Sequence, residues 1–222
     1  MGLGLLFCPM KKTAILIDGG WFTKAIENTI PPQKLPHGIT ADIIYKNALL
    51  AVDKSKEEVV KIFYYDSSPH EKKERNPISK TVTDYALTSA NQARKRLFTE
   101  LGKKDFVALR RGVVKPRGWT LTRGYAAKLM SGKIVAPQST DVFLNFEQKG
   151  VDMRIGIDVA TLAIKRLVDR IILLSGDTDM VPAIKLARRE GIQVILAQLP
   201  KRALINELVE DADLVRNLNP IS

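Results

Sequence analysis

The stretch that decides the fold is LLSGDTDMVPAIKLARREG, residues 173–191. A short apolar run ends in Ser-Gly-Asp-Thr-Asp, and a helical pattern follows at once, with Pro182 in its first turn and Gly191 past its end. The run before the turn, RIILLS, is continuously apolar, which is typical of a strand buried on both faces. The stretch therefore predicts a strand, a tight turn and a helix, with Asp177 and Asp179 at the strand end.

The same alternation continues through the rest of the chain. Further apolar, strand-like runs are TAILID, VVKIFYY, FVALRRGVV, IQVILAQ and DLVRNL. Helical patterns lie at WFTKAIEN, ADIIYKNALLAV with Thr40 as its cap, TDYALTSANQARKRLFTELG, VDMRIGIDVATLAIKRLV and RALINELVEDA. Because the strands are apolar on both faces, the sheet should be covered on both sides. We predict an α/β fold, a three-layer α/β/α Rossmann-like domain with a mainly parallel sheet.

The predicted domain covers residues 12–219. Residues 1–11 indicate a disordered lead that lacks the basic leader and cleavage site of a signal peptide, with Met10 as an alternative start. A polar segment near residues 66–80 is predicted to be a mobile loop, and residues near 110–148 a basic excursion.

Composition narrows the classes of function. The one cysteine, Cys8, excludes a disulfide framework and a cysteine-rich zinc site, and it fits a reducing cytoplasm. The two histidines, His37 and His70, lie in polar segments, which argues against a histidine metal site or a catalytic triad. The net charge of +11 suits a nucleic-acid partner and equally a basic but ordinary soluble protein. No apolar stretch nears the ~20 residues that span a membrane, so we expect a cytoplasmic protein without a membrane partner.

Acidic residues recur where buried strands end. Asp18 ends the first strand, and Asp177 and Asp179 follow a later one. Ligands of open parallel sheets bind beyond the carboxyl ends of the strands. The helix that leads into the strand RIILLS contains Asp152, and a right-handed crossover would start this helix at the same edge of the sheet. Clustered carboxylates repel one another, and a divalent cation resolves the conflict. Oxygen ligands without His or Cys indicate Mg²⁺ or Mn²⁺.

Each acid alone has a simpler explanation. Asp179 can cap a helix, Asp18 can be a turn residue, and Asp152 can be a first-turn acid favoured by the helix dipole. Their coincidence at one edge favours a site. Asp158 lies six residues after Asp152, about 120° around the helix, and is left open between a supporting and an exposed residue.

Three motifs, taken together and in order, resemble the NYN domain, specifically its LabA-like branch within the PIN-like nuclease superfamily. They are AILIDGGWF, KGVDMRIGIDVATLA and ILLSGDTDMVPAIKLARREGIQVILA, and the resemblance runs from about Lys12 to ELVEDADLVRNL. The resemblance implies a Rossmann-like nuclease that hydrolyses phosphodiesters, mostly of RNA, with a metal-activated water. It places the family's metal-binding and catalytic acids on Asp18, Asp152, Asp177 and Asp179. Many relatives have Asn shortly after the first acid, where this sequence has Trp21.

Residues 106–140 contain no acid. Their cations, mixed with Trp119 and Tyr125, suit the phosphates and unpaired bases of single-stranded RNA. The alternative is a solvated hairpin whose rings tuck into the core. The predicted nucleic-acid-binding residues are Trp21, Arg111, Lys115, Arg117, Trp119, Arg123 and Lys149, the last of which could touch the scissile phosphate or be plain surface.

Three functions compete. The first is a metal-dependent endoribonuclease that acts on single-stranded RNA with Mg²⁺ or Mn²⁺. The second is an RNA-binding module that keeps the acidic pocket but has little turnover, which Trp21 favours. The third is a small-substrate phosphohydrolase, because Asp177-Thr-Asp179 superficially resembles the Asp-x-Asp of aspartyl-phosphate enzymes, but it leaves the positive charge unexplained. A homodimer is compatible with the sequence but not required by it.

Overall fold

A computed structural model describes residues 9–133 and 135–222 of the chain. These residues divide into two compact units. We call residues 9–66, 97–111 and 151–222 the sheet unit, and the rest of the described chain, residues 67–96 and 112–150 without residue 134, the hairpin unit. The predicted disordered lead over residues 1–11 falls largely on residues 1–8, which lie outside the described residues.

The helices and strands alternate as the apolar pattern predicts. The strands are β1 (Lys11–Asp18), β2 (Glu57–Ser67), β3 (Lys73–Arg75), β4 (Val82–Asp84), β5 (Val107–Leu121), β6 (Val142–Lys149), β7 (Arg170–Leu174), β8 (Gln193–Gln198) and β9 (Leu214–Asn217). The α-helices are α1 (Gly19–Thr29), α2 (Ala41–Leu50), α3 (Ser89–Leu101), α4 (Arg123–Met130), α5 (Val151–Ile164), α6 (Val181–Arg189) and α7 (Asn206–Glu210).

The sheet unit is built on a parallel sheet with the strand order β5-β2-β1-β7-β8-β9. Strand β1 pairs in parallel with β2 and β7, and the parallel pairing continues through β8 to β9. Successive residues of β1 enter opposite layers: Ala14 and Leu16 join a core with α5 and α6, and Ile15 and Ile17 join a core with α1, α2 and α3. The predicted three-layer α/β/α architecture is confirmed, because helices cover both faces of the sheet.

Some predicted helix bounds are wrong, for local reasons. Helix α5 ends at Ile164 rather than near Val168, because Arg166 takes a left-handed φ of 50° and the N–H of Leu167 donates back to the carbonyl of Leu162 at 3.0 Å. Helix α2 does start at its predicted cap, where the Thr40 hydroxyl accepts from the third residue on.

The hairpin unit holds both the predicted loop and most of the predicted basic excursion. The loop contains a short antiparallel hairpin of β3 and β4, which its polar composition does not reveal. Strand β5 runs to Leu121 instead of ending near Val114, because its second half pairs antiparallel with β6, and α4 is also unpredicted. His70 is buried in a small aromatic cluster, 5.6 Å from the ring of Tyr85 and 5.1 Å from that of Phe146. His70 is thus enclosed by rings, while its Nε2 keeps a polar partner, the carboxylate of Glu74 at 2.8 Å.

Within the described part of the chain, no helix has both the length and the apolar character to cross a membrane.

Candidate active site

Asp18 lies at the carboxyl end of β1, where α1 begins. One carboxylate oxygen, Oδ1, accepts from the backbone N–H of Trp21 at 3.1 Å and so caps α1, and Oδ2 lies 3.5 Å from the hydroxyl of Ser175. Burial raises the pKa of Asp18, the hydrogen bond from Trp21 opposes the rise, and the charges of Asp152 and Asp66 add to it. Asp18 is therefore both a helix cap and one member of a group of mutually repelling carboxylates.

The loop after β7 folds back on its own side chains. The N–H of Asp177 donates to the hydroxyl of the buried Ser175 at 3.2 Å, and the N–H of Asp179 donates to Oδ1 of Asp177 at 3.0 Å. Asp177 thus caps the short helical turn Thr178–Met180 that leads into α6. The simpler explanation for Asp179, that it caps this helix, is wrong, because Asp177 does so, and the carboxylate of Asp179 stays exposed.

Two glycines let backbone and ring approach closely at this edge. A Cβ on Gly176 would stand 2.3 Å from Nε1 of Trp21, so the indole lies directly on the backbone of the loop that carries Asp177. A Cβ on Gly19 would likewise meet the hydroxyl of Tyr64 at 2.5 Å. Trp21 is half-buried and packs against both cores. Its ring therefore supports the loop that carries Asp177.

Asp152 comes to the same edge from α5. It lies in the first turn of that helix, directly after Val151. The φ of 76° at Gly150 turns the chain into the helix. Burial raises the pKa of Asp152, and the charges of Asp177 and Asp179 raise it further. Asp152 is therefore within electrostatic reach of Asp18 and of the two acids after β7.

The carboxylates are near one another but do not form a finished metal cage. Among residues 9–133 and 135–222, no group of three or more His, Cys, Asp or Glu side chains is placed to hold a metal ion. The donor set suits Mg²⁺ or Mn²⁺, which prefer carboxylate oxygens, and mutual repulsion favours a cation there. Asp18 and Asp177 are fixed by backbone hydrogen bonds. Asp152 and Asp179 are exposed.

Asp66 is a fifth acid at this edge, which sequence reasoning missed. It follows Tyr65, the residue that pairs with Asp18 in the register of β1 and β2, and it is buried. Its Oδ2 lies 3.4 Å from the hydroxyl of Tyr64, and its charge raises the pKa of Asp18. Asp66 follows the apolar run KIFYY just as Asp18 follows TAILI, so the strand-end pattern is present in the sequence. The predicted polar loop near residues 66–80 wrongly includes Asp66.

Asp158 is a supporting residue rather than an exposed one. Its Oδ2 accepts from the hydroxyl of Tyr65 at 2.9 Å and from Nε of Arg110 at 2.8 Å. The guanidinium of Arg110 also lies 4.9 Å from the ring centre of Phe63. Burial raises the pKa of the Tyr65 hydroxyl, and the charge of Asp158 adds to that effect. Arg110, a cation of the basic excursion near residues 110–148, therefore forms its ion pair with Asp158 within the sheet unit.

The basic stretch is less free of acids than its sequence suggests. In the hairpin unit, Arg117 forms an ion pair with Glu147 of the neighbouring strand β6, and Lys149 lies 3.5 Å from the same carboxylate. Antiparallel pairing thus brings an acid from outside the acid-free residues 106–140 onto Arg117. Lys115 and Arg123 are exposed.

The burial differs between two rings, Trp119 and Tyr125, and a third residue, Arg111, lies against an aromatic ring. Within the hairpin unit Trp119 is half-buried, and Tyr125 is buried with its hydroxyl on the carbonyl of Val135. Tyr125 thus tucks into the core, as the hairpin alternative holds. In the sheet unit, the guanidinium of Arg111 lies 4.9 Å from the ring centre of Phe98.

Comparison with known proteins follows the same lines. The NYN domain family model matches residues 12–218, nearly the whole chain, and the chain belongs to that family. NYN domains form part of the PIN-like nuclease superfamily, whose members generally use divalent metal ions. A solved structure of a protein of unknown function from Vibrio parahaemolyticus superposes with a TM-score of 0.49 at 16% identity, covering 95% of this chain and 94% of that one. No curated protein matches.

Proposed function

We propose that this protein is a metal-dependent endoribonuclease of the LabA-like branch of the NYN family, acting on single-stranded RNA with Mg²⁺ or Mn²⁺ in the cytoplasm. We propose no membrane partner, and a homodimer is compatible with this function. The observation that carries it is the electrostatic interaction of Asp18 with Asp152 and of Asp152 with Asp177 and Asp179: burial raises the pKa of Asp18 and of Asp152, and the charges of these neighbouring carboxylates raise both further. Four acids from three segments of the chain repel one another there, an arrangement that a divalent cation stabilises.

Each acid has a defined part in this proposal. Asp18 and Asp177, held by their caps, form the fixed half of the site, and the exposed Asp152 and Asp179 form the half that closes on the cation. A bound divalent ion would polarise the phosphoryl oxygen and lower the pKa of a water nucleophile. Arg111, Lys115, Trp119, Arg123 and Lys149 would bind the RNA strand outside the acidic cluster, and Arg117 would do so after release from Glu147.

The test is cleavage of labelled single-stranded RNA, with matched DNA, in Mg²⁺, Mn²⁺ or EDTA. The variant Asp177→Asn keeps an oxygen for the N–H of Asp179, because Asn caps a helix as well as Asp, and removes the charge. We expect cleavage with metal, none in EDTA, and a loss of about 100-fold or more in the variant. Glu27→Gln, at an exposed acid on α1, is the control. Undiminished cleavage by Asp177→Asn would refute the assignment.

One observation favours a second function, an RNA-binding module with little turnover. No three acids of the described chain are already placed around one cation position. A binder predicts RNA affinity that falls steeply with salt but is unchanged by Asp177→Asn, with no cleavage in any metal. Metal-dependent cleavage by the purified wild-type protein would exclude this alternative.

A further inference from the structure

An open groove runs between α5 and α6, and it starts at the acidic cluster. Its volume is about 480 Å³, which is within the range of small-ligand sites. Asp152 and Asp179 line one end, so the groove and the proposed cation site share two side chains. Met153, Ile157 and Leu186 supply apolar walls further along. The whole groove belongs to the sheet unit.

The walls of the groove are apolar where a surface helix is ordinarily polar. Met153 is 70% exposed and Ile157 is 57% exposed, and the two stand one turn apart on α5. Neither belongs to either core of the sheet unit, whose contacts with α5 come from Val151, Ile155 and Val159. Packing within the unit therefore does not account for these two side chains.

Gly156 also lines the groove. It lies within α5, where glycine is less favourable than alanine, and a Cβ there would meet nothing within 4 Å. The helix does not need a glycine at this position for close packing or for an unusual φ, since Gly156 is absent from the residues with positive φ. Its effect is to leave space beside Ile157.

We propose that this groove is a subsite for an unpaired nucleobase of the substrate strand, next to the phosphate that the acids address. This inference rests on the proposed ribonuclease function. The groove contains no cation among its lining residues, and two carboxylates stand at its end, so a phosphate is disfavoured within it. A flat, uncharged base can lie against the aliphatic side chains of this open groove, and such apolar contact does not distinguish one base from another. The subsite would thus hold the strand without demanding a sequence.

The experiment uses the full chain and two matched pairs of measurements. Ile157→Ala removes a groove wall, whereas Ile164→Ala removes an equally exposed isoleucine, at 62%, that does not line the groove. Affinity is measured for a 2′-O-methyl oligonucleotide that resists cleavage. The methyl signal of Met153, assigned with Met153→Leu, is followed as the oligonucleotide or ribose 5-phosphate is added.

We expect Ile157→Ala to weaken binding by roughly fivefold, because apolar contact with the base is lost, and Ile164→Ala to leave it unchanged. The Met153 signal should move with the oligonucleotide and stay still with ribose 5-phosphate, which has no base. Gly156→Leu, which fills the groove, should weaken binding with no loss of thermal stability, because the space is open and leucine favours helix.

Three results would overturn the inference. Equal affinities of the two isoleucine variants would do so, and so would a Met153 signal that ribose 5-phosphate also moves. A signal that depends on protein concentration alone would assign the groove to a second copy of this chain. Failure of the nuclease proposal looks different, because RNA would then survive in Mg²⁺ and Mn²⁺ whatever the Met153 signal does.

Discussion

Glu57, at the start of β2, is a buried acid on which two arginines converge. Its side chain has no exposed surface. It accepts hydrogen bonds from Arg216 at 2.9 and 3.0 Å, from Arg170, and from the backbone N–H of Asp53 at 2.7 Å. Glu57→Gln keeps the shape of the side chain but removes the charge, so two largely buried guanidinium groups lose their counter-ion.

The expected loss of stability follows from that burial. Breaking a buried ion pair from one side costs about 3–5 kcal/mol, and glutamine retains one oxygen acceptor, so we expect about 3 kcal/mol. For a chain of this size, 1 kcal/mol corresponds to roughly 2–4 °C in melting temperature. The Glu57→Gln variant should therefore melt roughly 6–12 °C below the wild type.

The effect should depend on pH in one direction. Burial raises the pKa of Glu57, but the hydrogen bonds from Arg216, Asp53 and Arg170 outweigh it and hold the pKa below its ordinary value of 4.5. A lowered pKa stabilises the fold at pH values above 4.5, and that contribution is lost as the pH falls through the folded-state pKa. The gap between wild type and variant should be full at pH 7 and should narrow below about pH 4.5.

Urea unfolding followed by circular dichroism, repeated from pH 7 downward, measures both effects. Glu58→Gln is the matched control, because Glu58 is the next residue on the same strand and is exposed. We expect a change within about 0.5 kcal/mol for the control. A Glu57→Gln variant as stable as the control, or a gap that stays constant down to pH 3, would refute the reasoning.

Two further predictions concern the candidate site and the basic stretch. Gly176→Ala pushes a methyl group into the indole of Trp21, and we expect it to lower the free energy of unfolding by about 1–3 kcal/mol and to displace Asp177. The control Gly124→Ala, in open space on α4, should raise that free energy by about 0.5–1 kcal/mol. Thermal melting measures both, and equal effects would contradict the close approach of Gly176 and Trp21. Lys115→Ala should lower the slope of log RNA affinity against log salt concentration by about 1. Arg117→Ala should lower it by less, because Glu147 already pairs with Arg117. Salt titration of RNA binding measures both slopes, and a larger change for Arg117→Ala would contradict this order.

The layered fold was predictable because its signal is local. Each strand of the sheet unit is a short apolar run, and each helix carries one apolar face, so the pattern specifies a sheet covered on both sides. The coincidence of acids at strand ends also followed from this pattern together with the handedness of the crossover.

The features that were missed depend on contacts between residues distant in sequence. The pairing of Arg117 with Glu147 requires the register of β5 and β6, and the packing of Trp21 on Gly176 joins α1 to the loop after β7. The hairpin of β3 and β4 is built mainly from charged and polar residues and has no apolar alternation to reveal it. Asp66 lies outside the predicted strand although its signal is local, because the apolar run VVKIFYY ends at Tyr65 and β2 continues two residues further, to Ser67.

The central claim is that Asp18, Asp152, Asp177 and Asp179 share one divalent-cation site. Calorimetric titration of the full chain with Mn²⁺ tests it without relying on catalysis. We predict saturable binding that is lost in Asp18→Asn and in Asp177→Asn, with both variants folded because asparagine preserves the helix caps, and retained in Glu27→Gln. Equal Mn²⁺ binding by the wild type and by folded Asp18→Asn and Asp177→Asn variants would contradict the account.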